Sequence, residues 1–337
     1  MGFLFPSSVF PGVAPSKKES MSSTTTEPQS DTITPTSPHA HALMPWIAAA
    51  FALVYLAWGC TFYGIRVAIE TIPVFLMAGT RFFIAGAILM VGLRFFQPKG
   101  FHWGTRREWR DATVVGGLLI VIGNGGMTLS ERTLPSGIAA LITAGTPLWM
   151  VLFDWLRPGG RRPTGTVAVG LLLGFGGILI LCQPEHAVTT VASPQLWGYL
   201  VLIGANICWG AGAIYSRHTH VEGSPLLPVA RQMLMGGLLL FALGVGTGEL
   251  HRFSLGAVSL RSALGFAYLL VFGSLLGYTA YVWLMKVSTP ARVGTVSYVN
   301  PIIAVLVGWA MGGEVLTLKI ALSAVIIVIA VVIVIRR

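Results

Sequence analysis

The run Trp58-Gly59-Cys60-Thr61-Phe62-Tyr63-Gly64-Ile65-Arg66 closes the first long apolar stretch of the chain, and its first two residues return as Trp209-Gly210. Arg81 returns as Arg231, Pro147 as Pro301 and Trp155 as Trp309, each roughly 150 residues further on. Landmarks that share one offset make the two halves copies of one unit. Each copy holds five apolar runs near the roughly 20 residues a helix needs to cross about 30 Å of hydrocarbon. An odd number of crossings turns the second copy upside down relative to the first. Inverted repeats imply alternating access, with a substrate site between the halves near the membrane midplane.

Working outward, the sequence predicts an all-α integral membrane protein of ten transmembrane helices, with a first repeat over 46–185 and a second over 192–337. The runs are continuous rather than alternating, which excludes lipid-facing strands, because every backbone polar group in hydrocarbon must be satisfied within its own helix. Hydrophobic residues make up 54% of the chain, charged residues only 10%, and mean hydropathy is +0.77, too apolar a balance to cover a soluble surface. The net charge of +10 does not point to nucleic acid, since the basic residues lie between apolar runs and form no recognition face. They cluster instead on one side: Lys17, Lys18, Arg94, Lys99, Arg106, Arg107, Arg110, Arg157, Arg161, Arg162, Arg217, Lys286, Arg292, Arg336 and Arg337. By the positive-inside rule that side, with both termini, faces the cytoplasm.

Residues 1–45 are rich in Ser, Thr and Pro and bury too little apolar area to offset their ordering entropy, so a disordered cytoplasmic tail is expected there. The tail has no signal-peptide pattern, which leaves the first helix as an uncleaved insertion signal. Cys60, Cys182 and Cys208 fall in or beside apolar runs without paired spacing and read as packing residues, not as a disulfide or metal set. No metal, cofactor or catalytic group is expected.

Several stretches carry a family resemblance. Trp58 to Arg66, followed by Pro73 and Arg81-Phe82-Phe83, resembles the opening of the EamA repeat of the drug/metabolite transporter superfamily. Gly273-Ser274-Leu275-Leu276-Gly277-Tyr278, Tyr298-Val299-Asn300-Pro301 and Gly312-Gly313-Glu314 resemble the end of its second copy. Gly123-Asn124-Gly125-Gly126-Met127 with Leu134-Pro135-Ser136-Gly137-Ile138-Ala139-Ala140 is most similar to the YedA-like branch. The resemblance runs from about Trp46 to the C-terminus. It implies ten helices, cytoplasmic termini in a bacterial inner membrane, and export or exchange of small metabolites, with amino acids and related amphipathic compounds as the leading class. The sequence departs from the pattern after helix 4, where Arg157-Pro158-Gly159-Gly160-Arg161-Arg162 stands in place of a Gly-Glu pair.

Candidate substrate contacts follow from residue type and depth. Arg81 and Arg231 lie within spans, where an ionisable group faces a cavity or a partner. A guanidinium there either holds a substrate carboxylate or phosphate through two hydrogen bonds, or caps carbonyls and snorkels to the interface. Asn124, Thr143, Thr146, Ser297 and Asn300 are the uncharged polar candidates, against the alternative that they only tie helices together. Pro147 and Pro301 each free a carbonyl one turn earlier and are candidate hinges. Trp58, Tyr63, Trp209, Tyr278 and Tyr298 offer aromatic contact area, or else anchor the interface. The Gly170–Gly174 pair serves either internal packing or dimerisation, so the chain is expected as a monomer or homodimer in lipid.

Only Asp154 among the carboxylates falls within a predicted span, near its cytoplasmic end and beside Arg157 and Arg161. The expectation is therefore facilitated diffusion or exchange rather than obligatory proton antiport. An intramembrane enzyme lacks catalytic side chains at depth, and a receptor or scaffold would be expected to bring a folded soluble domain. A channel stays as the alternative to a carrier.

Overall fold

The computed structural model describes residues 38–158, 162–182, 194–219, 222–288 and 290–335. The predicted tail lies outside them up to residue 37, as do Arg161, Arg336 and Arg337. The first helix begins at Pro38, so the last residues assigned to the tail are helical.

Among the described residues nine helices are long and apolar enough to cross a membrane, and a shorter apolar one makes ten. They are α1 (Met44–Ala68), α2 (Val74–Phe96), α3 (Arg106–Ser130), α4 (Ser136–Leu156), α5 (Gly165–Cys182), α6 (Pro194–Arg217), α7 (Leu226–Gly246), α8 (Leu260–Met285), α9 (Val296–Gly312) and α10 (Leu318–Ile335). Their flanks expose Leu56, Ile88, Leu172, Leu200 and Leu306, side chains that hydrocarbon rather than water would cover. The fold is all-α, two inverted five-helix repeats.

With no hydrophobic force between helices in lipid, small residues decide where backbones meet. The α2–α7 crossing is the tightest example. A Cβ on Gly79 would overlap the backbone N of Phe241, and one on Gly237 would overlap the backbone N of Phe83. Gly236 meets Ile120 and the Gly116 carbonyl in the same way, bringing α3 onto the other side of α7. Gly237→Ala is therefore expected to force two backbones apart and lower stability by about 1–3 kcal/mol. Thermal unfolding in detergent measures this, with Gly176→Ala, whose Cβ would meet nothing within 4 Å, as the unchanged control.

The Gly170–Gly174 face is occupied within the chain. Gly170 packs on Val334 and Ile333, Gly174 on Leu148 and Ala330, and Gly177 on Ile327 and Ile326, which seats α5 against α10. All three cysteines are free.

Four spans depart from a regular α-helix, the first being α1, which breaks at Cys60. In α3, residues Gly117–Asn124 form a π-helix, and in α8 residues Leu269–Leu276 do the same. α4 breaks between Thr143 and Thr146, so Pro147 enters the first turn of its second half, where a missing N–H is harmless. The matching break before α9 comes earlier, at Gly294–Thr295 after a turn over Pro290–Val293, and Pro301 sits inside a continuous helix. The two prolines thus share a place in the repeat but only Pro147 adjoins a break.

Candidate functional site

π-helices are rare and concentrate at functional sites, because the wider turn offsets the i→i−4 ladder and redirects side chains. Here the two π segments occupy matching places in the repeats, and each receives a tryptophan from the opposite repeat. The Trp58 indole N–H donates to the Gly273 carbonyl at 3.0 Å, and a Cβ on Gly277 would strike that indole. On the other side the Trp209 ring lies over Gly123, where a Cβ would come within 2.7 Å. The Trp-Gly landmarks of the sequence are therefore one half of a reciprocal contact, and the glycines of Gly123-Asn124 and Gly273-Ser274 are the other half.

Around Trp58 the aromatic rings converge. Tyr278 and Tyr281 lie at 5.2 and 5.0 Å between ring centroids. Arg81, only 3% exposed, donates to Asn124 Oδ1 at 2.9 Å, lies 4.2 Å over the Phe82 ring and is within electrostatic reach of Tyr278. Its Nε has no partner. The arginine thus neither snorkels nor caps: it is held in the interior by the asparagine that ends the π segment.

The polar residues of α4 and α9 lie on helices packed together. Thr146 Oγ1 donates to the Thr143 carbonyl and lies 3.0 Å from Asn206 Oδ1, while Thr143 Oγ1 and Asn300 Oδ1 are buried without a partner. Ser297 and Tyr298 are half-buried on α9. Asn206, which pins α4 to α6, did not stand out in the sequence because it is one polar residue in an apolar run.

Tyr63 stands apart, at the end of the bundle where α1 and α9 finish. Its hydroxyl donates to the Met311 carbonyl and accepts from Arg261. Arg231 stands apart at the opposite end. Its guanidinium, 1% exposed, pairs with Glu108 at 3.0 Å and donates to the His102 carbonyl at 2.9 Å. The loop bearing His102 passes close because Gly104 takes a positive φ of 93° against the arginine. Asp154 pairs with Arg157 at 2.7 Å.

The cavity of about 580 Å³ between α3 and α7 is lined by Thr113, Val114, Gly117, Leu118, Val121, Ile122, Leu239 and Leu243. It contains none of the expected contacts and is almost wholly apolar, so it does not correspond to the expected central cavity.

The end bearing Tyr63 is closed by a carboxylate. Gly313 takes a left-handed φ of 64°, and the Glu314 N–H donates back to the Gly308 carbonyl, a turn that returns the Glu314 side chain over the bundle. There it accepts from Ser136 N at 2.6 Å, Ser136 Oγ at 2.7 Å and Gly137 N at 2.9 Å, and pairs with Arg66 at 3.3 Å. A Gly-Glu pair is what this geometry requires: the glycine for the turn, the acid for the helix N-terminus it reaches.

Residues 45–183 and 196–336 each match the EamA-like transporter family. The chain belongs to that family. This EamA chain is 36% identical over 295 residues to the inner membrane transporter YedA of Escherichia coli (strain K12), across 87% of this chain and 91% of the relative. It is 24% identical over 281 residues to the transporter YvbV of Bacillus subtilis (strain 168), across 83% and 88%. A solved crystal structure, at 18% identity, shares the fold with a TM-score of 0.60 over 86% of the EamA chain and 96% of its own.

Proposed function

We infer that this EamA protein is a secondary transporter that exports or exchanges small amphipathic metabolites, amino acids and related compounds first among them, by alternating access across a bacterial inner membrane. The reciprocal Trp58–Gly273 and Trp209–Gly123 contacts carry the reading. Each couples the first helix of one repeat to the π segment of the other, so rocking one repeat against the other exchanges two related environments around one interior site. The end that bears Arg94, Lys99, Arg106, Arg107 and Arg110 is assigned to the cytoplasm, with both termini. The far end, closed by Glu314, faces outward. Arg81, Asn124, Thr143, Thr146, Asn300 and the Trp58–Tyr278 ring pair are the proposed path contacts, with Arg81 holding a substrate carboxylate.

Counterflow in proteoliposomes tests this. Vesicles loaded with a pooled amino-acid and metabolite mixture are expected to accelerate entry of a few labelled compounds, saturably. Flux that neither saturates nor responds to the loaded pool would indicate a channel. Arg81→Ala and Asn300→Ala are expected to lower counterflow by about tenfold or more, a loss of about 1.4 kcal/mol, while the proteins still fold. Wild-type rates in both would remove them from the path.

A further inference from the structure

The Glu314 latch has a second carboxyl beside it that makes no bond. Glu131 follows the last residue of α3, in the short turn that leads to Ser136, and is only 3% exposed. Neither of its oxygens has a hydrogen-bond partner. The charged groups that face it come from three other elements: Arg66 at the end of α1, Arg81 on α2, and Glu314 after α9. Tyr278 of α8 also lies within electrostatic reach of Arg81. Both cations are already engaged, Arg66 with Glu314 and Arg81 with Asn124. Glu131 is thus a buried acid with a like charge nearby, and the Arg66 backbone that approaches it makes no hydrogen bond of good geometry.

A carboxylate in such a place is disfavoured several-fold over the acid. Burial first, and the Glu314 charge second, push the Glu131 carboxyl well above the usual glutamate range, against the opposing pull of Arg66 and Arg81. The apolar runs hid this, because Glu131 lies between Ser130 and Arg132 and reads as a solvated turn. The turn is too short to leave the bundle, and α4 restarts at Ser136 under Glu314.

The geometry points to Glu131 as a proton-binding gate residue: protonated while the Glu314 latch is shut, and ionised when the outward end opens and water reaches it. On opening, the O–H bond of the Glu131 carboxyl breaks and the proton passes to water on the outer side. On closing, the carboxylate takes one back from the same side. No net proton crosses the membrane, so the exchange expected from the sequence survives, but its opening step depends on outer pH. The sign follows from linkage. The shut form binds more protons, so raising outer pH from the ordinary glutamate range, about 4.3, towards the elevated value of the shut form shifts the balance to the open form.

This rests on the transport reading only for its consequence, and two measurements separate them. Infrared difference spectra along an alkaline titration report the buried acid directly, without substrate. A protonated-carboxyl band that disappears on titration, and is missing in Glu131→Gln, is expected. Counterflow at varied outer pH reports the gate: wild type should rise about tenfold over one to two pH units, whereas Glu131→Gln, a neutral isostere of the acid, should stay low and flat. An acid band that Glu131→Gln leaves unchanged, or a variant that keeps the wild-type pH profile, overturns the gate. If the band behaves as expected but no compound shows counterflow at any pH, the proton site stands and the transport reading and gate fall.

Discussion

Glu314→Ala is expected to unlatch the end of the bundle that it closes and to cost about 2–3 kcal/mol, the upper part of the range for leaving hydrogen-bond donors without their acceptor. The acid accepts two backbone N–H groups and one hydroxyl at the start of α4, donors that have no intrahelical acceptor and sit where the helix dipole is positive. Arg66 contributes less to this figure, since its side chain is 41% exposed and water screens the pair. Glu249 offers an internal comparison. It caps α2 through Phe75 N and Leu76 N, both at 2.9 Å. Glu249→Ala is expected to lose only about 1–2 kcal/mol, the ordinary value of a cap. Thermal unfolding in detergent should therefore rank Glu314→Ala below Glu249→Ala, and an equal drop would mean that Glu314 is a helix cap and no latch. Glu314→Gln separates charge from shape, because one amide oxygen keeps part of the hydrogen bonding while the negative charge that Glu314 places near Glu131 is lost.

The two ends of the bundle are held by different devices, and the sequence shows why only half of this was legible. Trp58, Arg81 and Pro147 recur with a common offset, which gives the repeats, and the five apolar runs in each copy give their inversion. The offset says nothing about partners. Arg81 finds Asn124, whose counterpart in the second repeat is the shorter Ser274, and Arg231 finds Glu108, three residues after the N-cap Thr105, where the second repeat has Ser262 three residues after the N-cap Ser259. Two arginines that look equivalent in sequence therefore do different work. The π segments were equally hidden, since a continuous apolar run carries no periodic mark that separates a π turn from an α turn. Glu131 was missed for a third reason: depth read along the chain counts it as an end, while the packing of Arg66, Glu314 and α4 around the turn buries it. The departure at Gly159-Gly160 now has a physical meaning as well. The first repeat carries no acid at the place of Glu314, so the sequence supplies a carboxylate latch of this kind to one mouth only.

Arg231→Ala is expected to fail by destabilisation rather than by weaker substrate binding, and that distinguishes it from Arg81→Ala. With Arg231 gone, Glu108 keeps its capping box with Thr105 but loses the buried cation at 3.0 Å, and the His102 carbonyl loses a donor at 2.9 Å. The loop at Gly104 also loses the surface it packs on. Breaking such a pair costs about 3–5 kcal/mol, enough to lower the melting temperature of the detergent-solubilised protein by many degrees. Arg231→Lys restores the charge but not the two-pronged donor set, so it should recover part of the stability. Counterflow by whatever fraction folds should keep the wild-type KM, because both terminal nitrogens of the guanidinium are engaged, one by Glu108 and the other by His102. Arg81→Lys should behave in the opposite way, with a near-normal melting temperature and a raised KM. Both arginines keep a buried Nε–H without a partner, so the difference lies in their surroundings: Arg81 lies within reach of Tyr278 of the Trp58–Tyr278 ring pair, where a substrate carboxylate would sit, whereas the terminal nitrogens of Arg231 are engaged at the rim. A raised KM in Arg231→Lys with an unchanged melting temperature would place the second arginine in the path and restore the symmetry that the offset suggests.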